Sequence, residues 1–398
     1  MSLRLIGIIF CLGIAELSYS NVWEQKANFG GTGRHRGTAF SVHNKGYIGL
    51  GHINSVTETV YEDIWEYDPA SDTWTQKADF GGGPRYHPTT FSIGGKAYCG
   101  AGRSLTTSAY DDFWEFDPTM NTWTQITSFP GEPRSGAVAF VVDSIAYVGS
   151  GTVAFTGSNN FYAYNSVSDS WSAISSFPGV ARNTGVAITI NDKGYFGTGS
   201  GTYGSGNDFW EYKPAQDQWI QRANVGNILR QGATGFSING KGYILTGNNF
   251  GIGENFRDVW EYEPSNNSWR EVASFPGAKR RFMVSFVIND IAYCGIGTNG
   301  LNFNDFWSYS GTVGLYSEHQ DELEIAYPNP TNSKINFNLT PALTKAKLSL
   351  YNLSGKLVDE IDFKELQSID CSNLPSGVYI YKVFNAEMHL GNGKVMVL

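Results

Sequence analysis

The sequence predicts an all-β protein in which six four-stranded units close into a ring and a small β-sandwich follows. Three observations carry that expectation. The chain is rich in glycine (47) and aromatic residues (15%) but carries little charge (16%), a balance that favours turn-rich, aromatic-packed sheets over helices. A short phrase, Asp63-Ile64-Trp65-Glu66-Tyr67-Asp68-Pro69 followed by Trp74, recurs at Asp112–Pro118 with Trp123, at Asp208–Pro214 with Trp219 and at Asp258–Pro264 with Trp269. From Ser317 onward the phrase stops and a different alternating pattern begins.

Taken in order, residues 1–20 read as a secretory signal peptide. Arg4 precedes an apolar run from Leu5 to Ile14, and the small residues Ser18 and Ser20 stand where a signal peptidase cuts. The run is too short to span a membrane, and no later stretch is apolar for about 18 residues, so no integral membrane segment is expected in the mature chain. Without the signal three widely spaced cysteines remain, Cys99, Cys294 and Cys371; they form neither a disulfide framework nor a metal knuckle and are expected as buried thiols. A formal charge of -9 argues against a nucleic-acid partner, which requires a basic face.

Residues 21–312 hold the repeats. Trp23, Trp74, Trp123, Trp171, Trp219 and Trp269 mark six copies of about 50 residues. Each is followed 11 residues later by an arginine (Arg34, Arg85, Arg134, Arg182, Arg230, Arg280), and each arginine 13 residues later by a tyrosine. In the second copy, extended runs are expected at 88–93, 96–99, 112–116 and 123–126. The first two meet at a two-residue turn whose counterparts, such as Asn239-Gly240 and Asn191-Asp192, tolerate positive φ. Four antiparallel strands per 50-residue unit is the blade of a β-propeller. The pattern resembles the kelch family of β-propellers, with the family's paired glycines spread apart, as in Tyr98-Cys99-Gly100-Ala101-Gly102, and with Leu245 replacing the first glycine in the fifth copy.

The ends of the repeat region complete one another. Trp23 lacks a preceding Asp-x-Trp-x-Tyr run, whereas Asp305-Phe306-Trp307-Ser308-Tyr309 lacks a following Trp. An N-terminal strand added to the last blade would give six blades and no free sheet edge. After a charged linker at 313–325, residues 326–398 alternate at 334–339, 347–353, 357–363 and 378–384, as a small Ig-like β-sandwich would. Tyr327-Pro328-Asn329-Pro330, Leu350-Tyr351-Asn352-Leu353-Ser354-Gly355 and Leu374-Pro375-Ser376-Gly377-Val378-Tyr379 resemble the C-terminal sorting domain of type IX secretion substrates. That resemblance implies a gram-negative bacterium, export through the periplasm to the surface or medium, and the type IX machinery as a partner.

In such a blade the loops entering the first strand and joining the second to the third share one face. The latter, at 54–62, 104–111, 153–159, 202–207, 248–257 and 298–304, differ from copy to copy, and variable loops on a rigid scaffold are where binding resides. A glycan or protein ligand is therefore expected on this face. The six arginines, with His87 and Tyr203, are its candidate ligand-binding residues, since converging cations demand carboxylates or a bound anion. Kelch adaptors similar to this chain hold acidic peptides with arginines in this register. The competing role for each arginine is to bond blade carbonyls or a blade aspartate, which the guanidinium suits equally. Tyr86, Asn248, Asn249, Phe250 and Phe303 would suit sugar stacking or rim packing, and the repeated Trp are expected between blades. Asp68-Pro69, Asp117-Pro118 and Glu263-Pro264 read as turn formers.

No phosphate loop, metalloprotease helix or serine elbow is legible, no cofactor or metal set is indicated, and the paired His and Tyr of the similar galactose oxidase have no counterpart. The expectation is a non-enzymatic binding module. The enzymatic alternative is a sugar-acid mutarotase or epimerase similar to N-acetylneuraminate epimerase, for which Glu132 beside Arg134 would be a candidate; a structural surface component is the third reading.

Overall fold

The computed structural model describes residues 23–53, 58–202, 204–311 and, in the C-terminal part, 326–327, 331, 333–337, 346–352, 356–363, 367–385 and 388–398. The expected signal peptide, the whole of the expected linker and Tyr203 lie outside these residues. Two compact units divide the chain at Gly311 and Thr312. The first contains six four-stranded antiparallel sheets, five of them in simple chain order. Their innermost strands are Thr38–Val42, Thr89–Ile93, Val138–Val142, Val186–Ile190, Thr234–Ile238 and Val284–Ile288, and the sheets are numbered here as blades one to six in that order. All twelve central residues of the inner hairpins, from His43-Asn44 to Asn289-Asp290, have positive φ, the conformation that matches a two-residue turn to strand twist.

The sixth blade takes its outer strand from the other end of the chain: Trp23–Lys26 pairs antiparallel with Phe306–Tyr309, Trp23 opposite Tyr309. Neighbouring blades are tied by a ring of backbone bonds. The amide of the second glycine after each tyrosine strand (Gly51, Gly102, Gly151, Gly199, Gly247, Gly297) donates to the carbonyl of the next blade's arginine at 2.8–2.9 Å, and the last of them, Gly297 to Arg34, joins blade six to blade one. These glycines have φ between 88° and 102°, which only glycine adopts without strain, so the second glycine of the spread pair is a requirement of the ring, and the fifth copy keeps it while carrying Leu245 at the first.

Between blades, aromatic rings fill the core. Trp23 stands 4.6 Å from Tyr309 and 5.4 Å from Phe275 between ring centroids, and Phe209 meets both Tyr262 and Trp269 of the next blade near 5 Å, the geometry in which ring edges meet ring faces. The outer tryptophans also reach back along the rim: the Trp74, Trp171, Trp219 and Trp269 indoles donate to Ala27, Thr127, Ser175 and Ala223 carbonyls of the preceding blade. Asp68 and Asp117 accept backbone amides of the turns that follow them, Ala70 for the first and Thr119 and Met120 for the second. Cys99 and Cys294 are buried free thiols, and burial pushes Cys99 up to about 12.

The second unit has a three-stranded sheet (Ala326–Tyr327, Lys334–Phe337, Gln367–Asp370) and a four-stranded sheet ordered Leu357–Phe363, Ala346–Asn352, Gly377–Asn385, Met388–Val397. The last strand, ten residues long, is not expected from its interrupted alternation; pairing along all of Gly377–Asn385 holds it. Leu348, Leu350, Cys371, Tyr379 and Val395 are buried in this unit.

Candidate functional site

The six repeat arginines do not converge on the channel as expected. Their side chains run into their own blades and are buried, none more than 4% exposed. Each sends Nη1 to the carbonyl 16 residues ahead, and five of them meet the aspartate that opens the repeated phrase: Asp63, Asp112, Asp208, Asp258 and Asp305. The same aspartate accepts the indole of the tryptophan two residues on, as Asp258 does from Trp260 at 2.7 Å. One carboxylate therefore satisfies two buried donors per blade. Blade three is the exception: Asn160 and Tyr162 replace Asp and Trp together, and Arg134 bonds only the carbonyls of Glu132 and Ser150 above the Phe129 ring. Burial pushes the Arg134 guanidinium down to about 10.

The mouth of the channel is built instead by the residue two positions after each arginine: Arg36, His87, Gly136, Thr184, Gly232 and Phe282. All six have φ between 51° and 65°, and a second belt of backbone bonds links them, His87 to Arg36, Gly136 to His87, Thr184 to Gly136, Gly232 to Thr184 and Phe282 to Gly232, at 2.7–3.0 Å. Left-handed conformations at Arg36, His87, Thr184 and Phe282 cost of order 1 kcal/mol each and persist because the belt imposes them. Outside the belt, the next residue toward each arginine pairs with the residue after the conserved-spacing glycine, giving His35–His52, Tyr86–Arg103, Gln231–Asn248 and Arg281–Thr298 ribbons among others.

These positions divide the mouth into two unlike halves. Blades six, one and two carry large cationic and aromatic side chains. The His52 ring lies 4.3 Å from His35 and stacks on Tyr86 at 4.2 Å; the Arg103 guanidinium lies over Tyr86. Phe282 receives Arg36 at 4.6 Å and Arg281 at 5.9 Å, with His87 edge-on at 5.2 Å. Arg281 also reaches Phe250 and the Asn255 side chain. Blades three, four and five present Gly136, Thr184 and Gly232, ringed by Ser135, Asn183, Gln231 and Asn248. A cavity of about 120 Å³ opens between the halves, its lining including Arg36, His87, Thr184, Gly232 and Phe282. At Gly232 an added β-carbon would sit 2.7 Å from the Phe282 ring, so glycine is what lets that ring lie across the mouth.

Electrostatically the crowded half is uncompensated. Among the described residues, Arg36, Arg103 and Arg281 have no ion-pair partner; the one carboxylate that influences Arg36 is that of Glu58, which is exposed. Burial pushes Arg36 down to about 10 and also lowers Arg281. Burial likewise lowers His35 to about 4 and His52 to about 3, and holds His87 well below the usual histidine range, with the arginines adding to each. The three imidazoles are neutral at pH 7, and no three His, Cys, Asp or Glu among the described residues come together as a metal site. Buried polar atoms without a hydrogen bond cluster here: Nε of Arg36, Arg103 and Arg281, Nδ1 of His52 and Oδ1 of Asn248.

Of the residues expected to bind ligand, His87 is therefore at the mouth, the six repeat arginines are spent inside the blades, and Tyr203 lies outside the described residues. Arg36, Arg103 and Arg281 escape a sequence reading because they do not repeat. Their one signal is position, next to residues that do.

Residues 325–397 match the secretion system C-terminal sorting domain. The tail is a sorting domain. A protein with such a domain is exported by the type IX system to the cell surface or beyond, and no helix among the described residues is long and apolar enough to cross a membrane. The repeat region is similar to the solved structure of YjhT, with a TM-score of 0.61 at 18% identity over 72% of this chain and 96% of that one. This likeness supports the β-propeller fold of the region the sorting domain carries. No curated protein matches the sequence.

Proposed function

We propose that this is an exported, non-enzymatic binding module that receives a glycan or protein ligand at the channel mouth on the loop face. One observation carries the reading: five of the six repeat arginines are paired with a carboxylate of their own blade, while Arg36, Arg103 and Arg281 at the mouth have no ion-pair partner among the described residues. Polar groups left unmatched at a concave, partly apolar site are what ligands satisfy. The exposed apolar side chains agree. Leu105, Phe155, Ile228, Leu229, Phe250, Ile252 and Leu301 stand on loops of this face, against Met120 and Val167 on the opposite one, so apolar exposure is concentrated on the loop face.

The propeller fold is compatible with a sugar-acid epimerase, but acid–base chemistry needs a group within hydrogen-bond reach of the substrate. Glu132, the candidate for that part, is exposed on the rim and contributes its carbonyl, not its carboxylate, to Arg134. The reading is tested by probing oligosaccharide and peptide arrays with the exported chain. Binding lost on replacing Arg103 and Phe250 together would support it; binding to nothing, or binding indifferent to both, would overturn it.

A further inference from the structure

We propose that Asn21, the residue that follows the expected signal peptide, is the sixth member of a side-chain belt around the outer rim, and that the mature chain keeps it to lock the ring shut. The inference concerns how the propeller closes and stands apart from the binding reading of the loop face.

Five blades build the belt from one recurring residue. Two positions before the outer tryptophan stands Asp72, Asn121, Asp169, Asp217 or Asn267, each in the left-handed region with φ between 44° and 54°, which Asn and Asp tolerate better than other non-glycine residues. Each accepts the amide four residues after the tryptophan of the preceding blade, on Ala27, Ala78, Thr127, Ser175 and Ala223 in turn, at 2.9–3.2 Å. Four of them also accept the hydroxyl of the tyrosine opposite that tryptophan, from Tyr67, Tyr164, Tyr212 and Tyr262 at 2.7–2.9 Å. Blade two has Phe116 at that place and makes only the amide bond. An uncharged carboxamide suffices for both tasks, since the Asn267 Oδ1 takes the Ala223 amide and the Tyr262 hydroxyl together.

Blade six carries the same donors. Its outer tryptophan is Trp23, whose indole reaches the Ala273 carbonyl as the indoles of Trp74 and Trp269 reach Ala27 and Ala223, so the Ala273 amide is the sixth of the series. Trp23 and Tyr309 meet at 4.6 Å and 46°, close to the 4.7–5.0 Å and 40–45° of the four other Tyr–Trp pairs. The Tyr309 hydroxyl therefore points where theirs point, yet it is buried without a hydrogen bond, a state that native proteins seldom leave in place. In the other blades the turn between the tyrosine strand and the tryptophan strand supplies the acceptor. Blade six has no such turn, because its two outer strands come from opposite ends of the repeat region, and the acceptor can come only from the segment before Trp23. The residue two positions before Trp23 is Asn21, of a type the belt already uses, and it lies outside the described residues. Cleavage after Ser20 would keep it as the first residue of the mature chain; cleavage one bond later would remove it.

The test begins with N-terminal sequencing of the exported chain, which is expected to retain Asn21; a chain starting at Val22 or beyond would overturn the inference. Melting of variants exported in the same way gives the second arm. Asn21→Ala is expected to lower the melting temperature by about 2–6 °C, while Asn21→Asp, which copies Asp72, keeps the parent value. Tyr309→Phe, which copies blade two, should reduce the effect of Asn21→Ala by about half, since one of the two bonds is then already gone. The Ala273 amide should exchange with solvent faster in Asn21→Ala than in the parent, a local change that a general loss of stability would not single out. If Asn21→Ala yields no folded chain, Asn21→Gly takes its place, as it removes the acceptor and keeps the left-handed backbone. Additive melting shifts for the two positions, Asn21→Asp melting like Asn21→Ala, or an Ala273 amide that exchanges at the parent rate would each overturn the inference, and none of these outcomes bears on the loop-face reading.

Discussion

Arg230 and Asp258 meet side on, Nη1 to Oδ1 at 2.9 Å and Nη2 to Oδ2 at 2.6 Å, with the guanidinium fully buried and the carboxylate nearly so. Because Asp258 also accepts the Trp260 indole, its removal leaves two buried donors unmatched. Asp258→Ala is expected to destabilise the protein by about 3–5 kcal/mol, read from the urea midpoint. A loss under about 1 kcal/mol would show that the pair is not what holds the blade.

Blade three supplies the converse experiment. Asn160 occupies the aspartate position beside an Arg134 that has no counter-charge. Asn160→Asp restores the pair seen in the other five blades and is expected to stabilise the protein by about 1–2 kcal/mol, the worth of a charged hydrogen bond less the cost of burying the carboxylate. Thermal melting in low salt reads the gain, and a lower melting temperature would contradict the account.

Ring closure depends on Trp23, which is 7% exposed and donates from its indole to the Ala273 carbonyl at 3.0 Å. Trp23→Ala removes the core anchor of the closing strand and is expected to cost about 3–5 kcal/mol. It should also raise amide exchange selectively in Phe306–Tyr309, whose outer neighbour would detach. Uniform exchange across all six blades would argue that the closing strand is dispensable.

Acid should weaken the fold through the mouth histidines. His35 and His52 are lowered to about 4 and about 3 in the folded chain against an ordinary value of 6.5, so the unfolded chain takes up protons first. Their contribution is complete above pH 6.5 and is lost as the pH falls toward those folded values. Between pH 7 and 5 the loss reaches roughly 2 kcal/mol per histidine. His52→Gln, which keeps an acceptor for Arg36, should flatten the fall in the urea midpoint over that range; identical slopes in parent and variant would refute the assignment.

At the belt, Thr184 is a β-branched residue at φ 51° where its neighbours Gly136 and Gly232 relieve the same geometry. Thr184→Gly is expected to raise stability by about 0.5–1 kcal/mol, measured by denaturant titration. Destabilisation would show that the Thr184 side chain is held by contacts worth more than its strain.

The amount legible in advance differs by element. Hairpin residues such as Asn239-Gly240 announce their turn because positive φ is a property of the residue itself. The tryptophan spacing announces six blades because each copy must repeat the same inter-blade contact. Met388–Val397 does not announce itself, since its alternation is broken by Gly391 and Gly393 and its strand character comes from the partner it pairs with. The site was half legible. The register that led to Arg34, Arg85, Arg134, Arg182, Arg230 and Arg280 pointed to the correct end of each blade, yet those side chains turn into the blade, where Asp63 and its counterparts wait.

By itself, then, the sequence determined what is local or repeated: the strands of the repeat, the turns, the closing Trp23 and the sorting domain with the export it brings. Only the tertiary structure decided which charges are free. A repeated Arg and a repeated Asp lie 25 to 29 residues apart in the chain and their pairing follows from blade geometry, whereas Arg36, Arg103 and Arg281 belong to three different blades. Arg36 and Arg281 reach the same Phe282 ring only because the ring of blades closes and brings blade six against blade one.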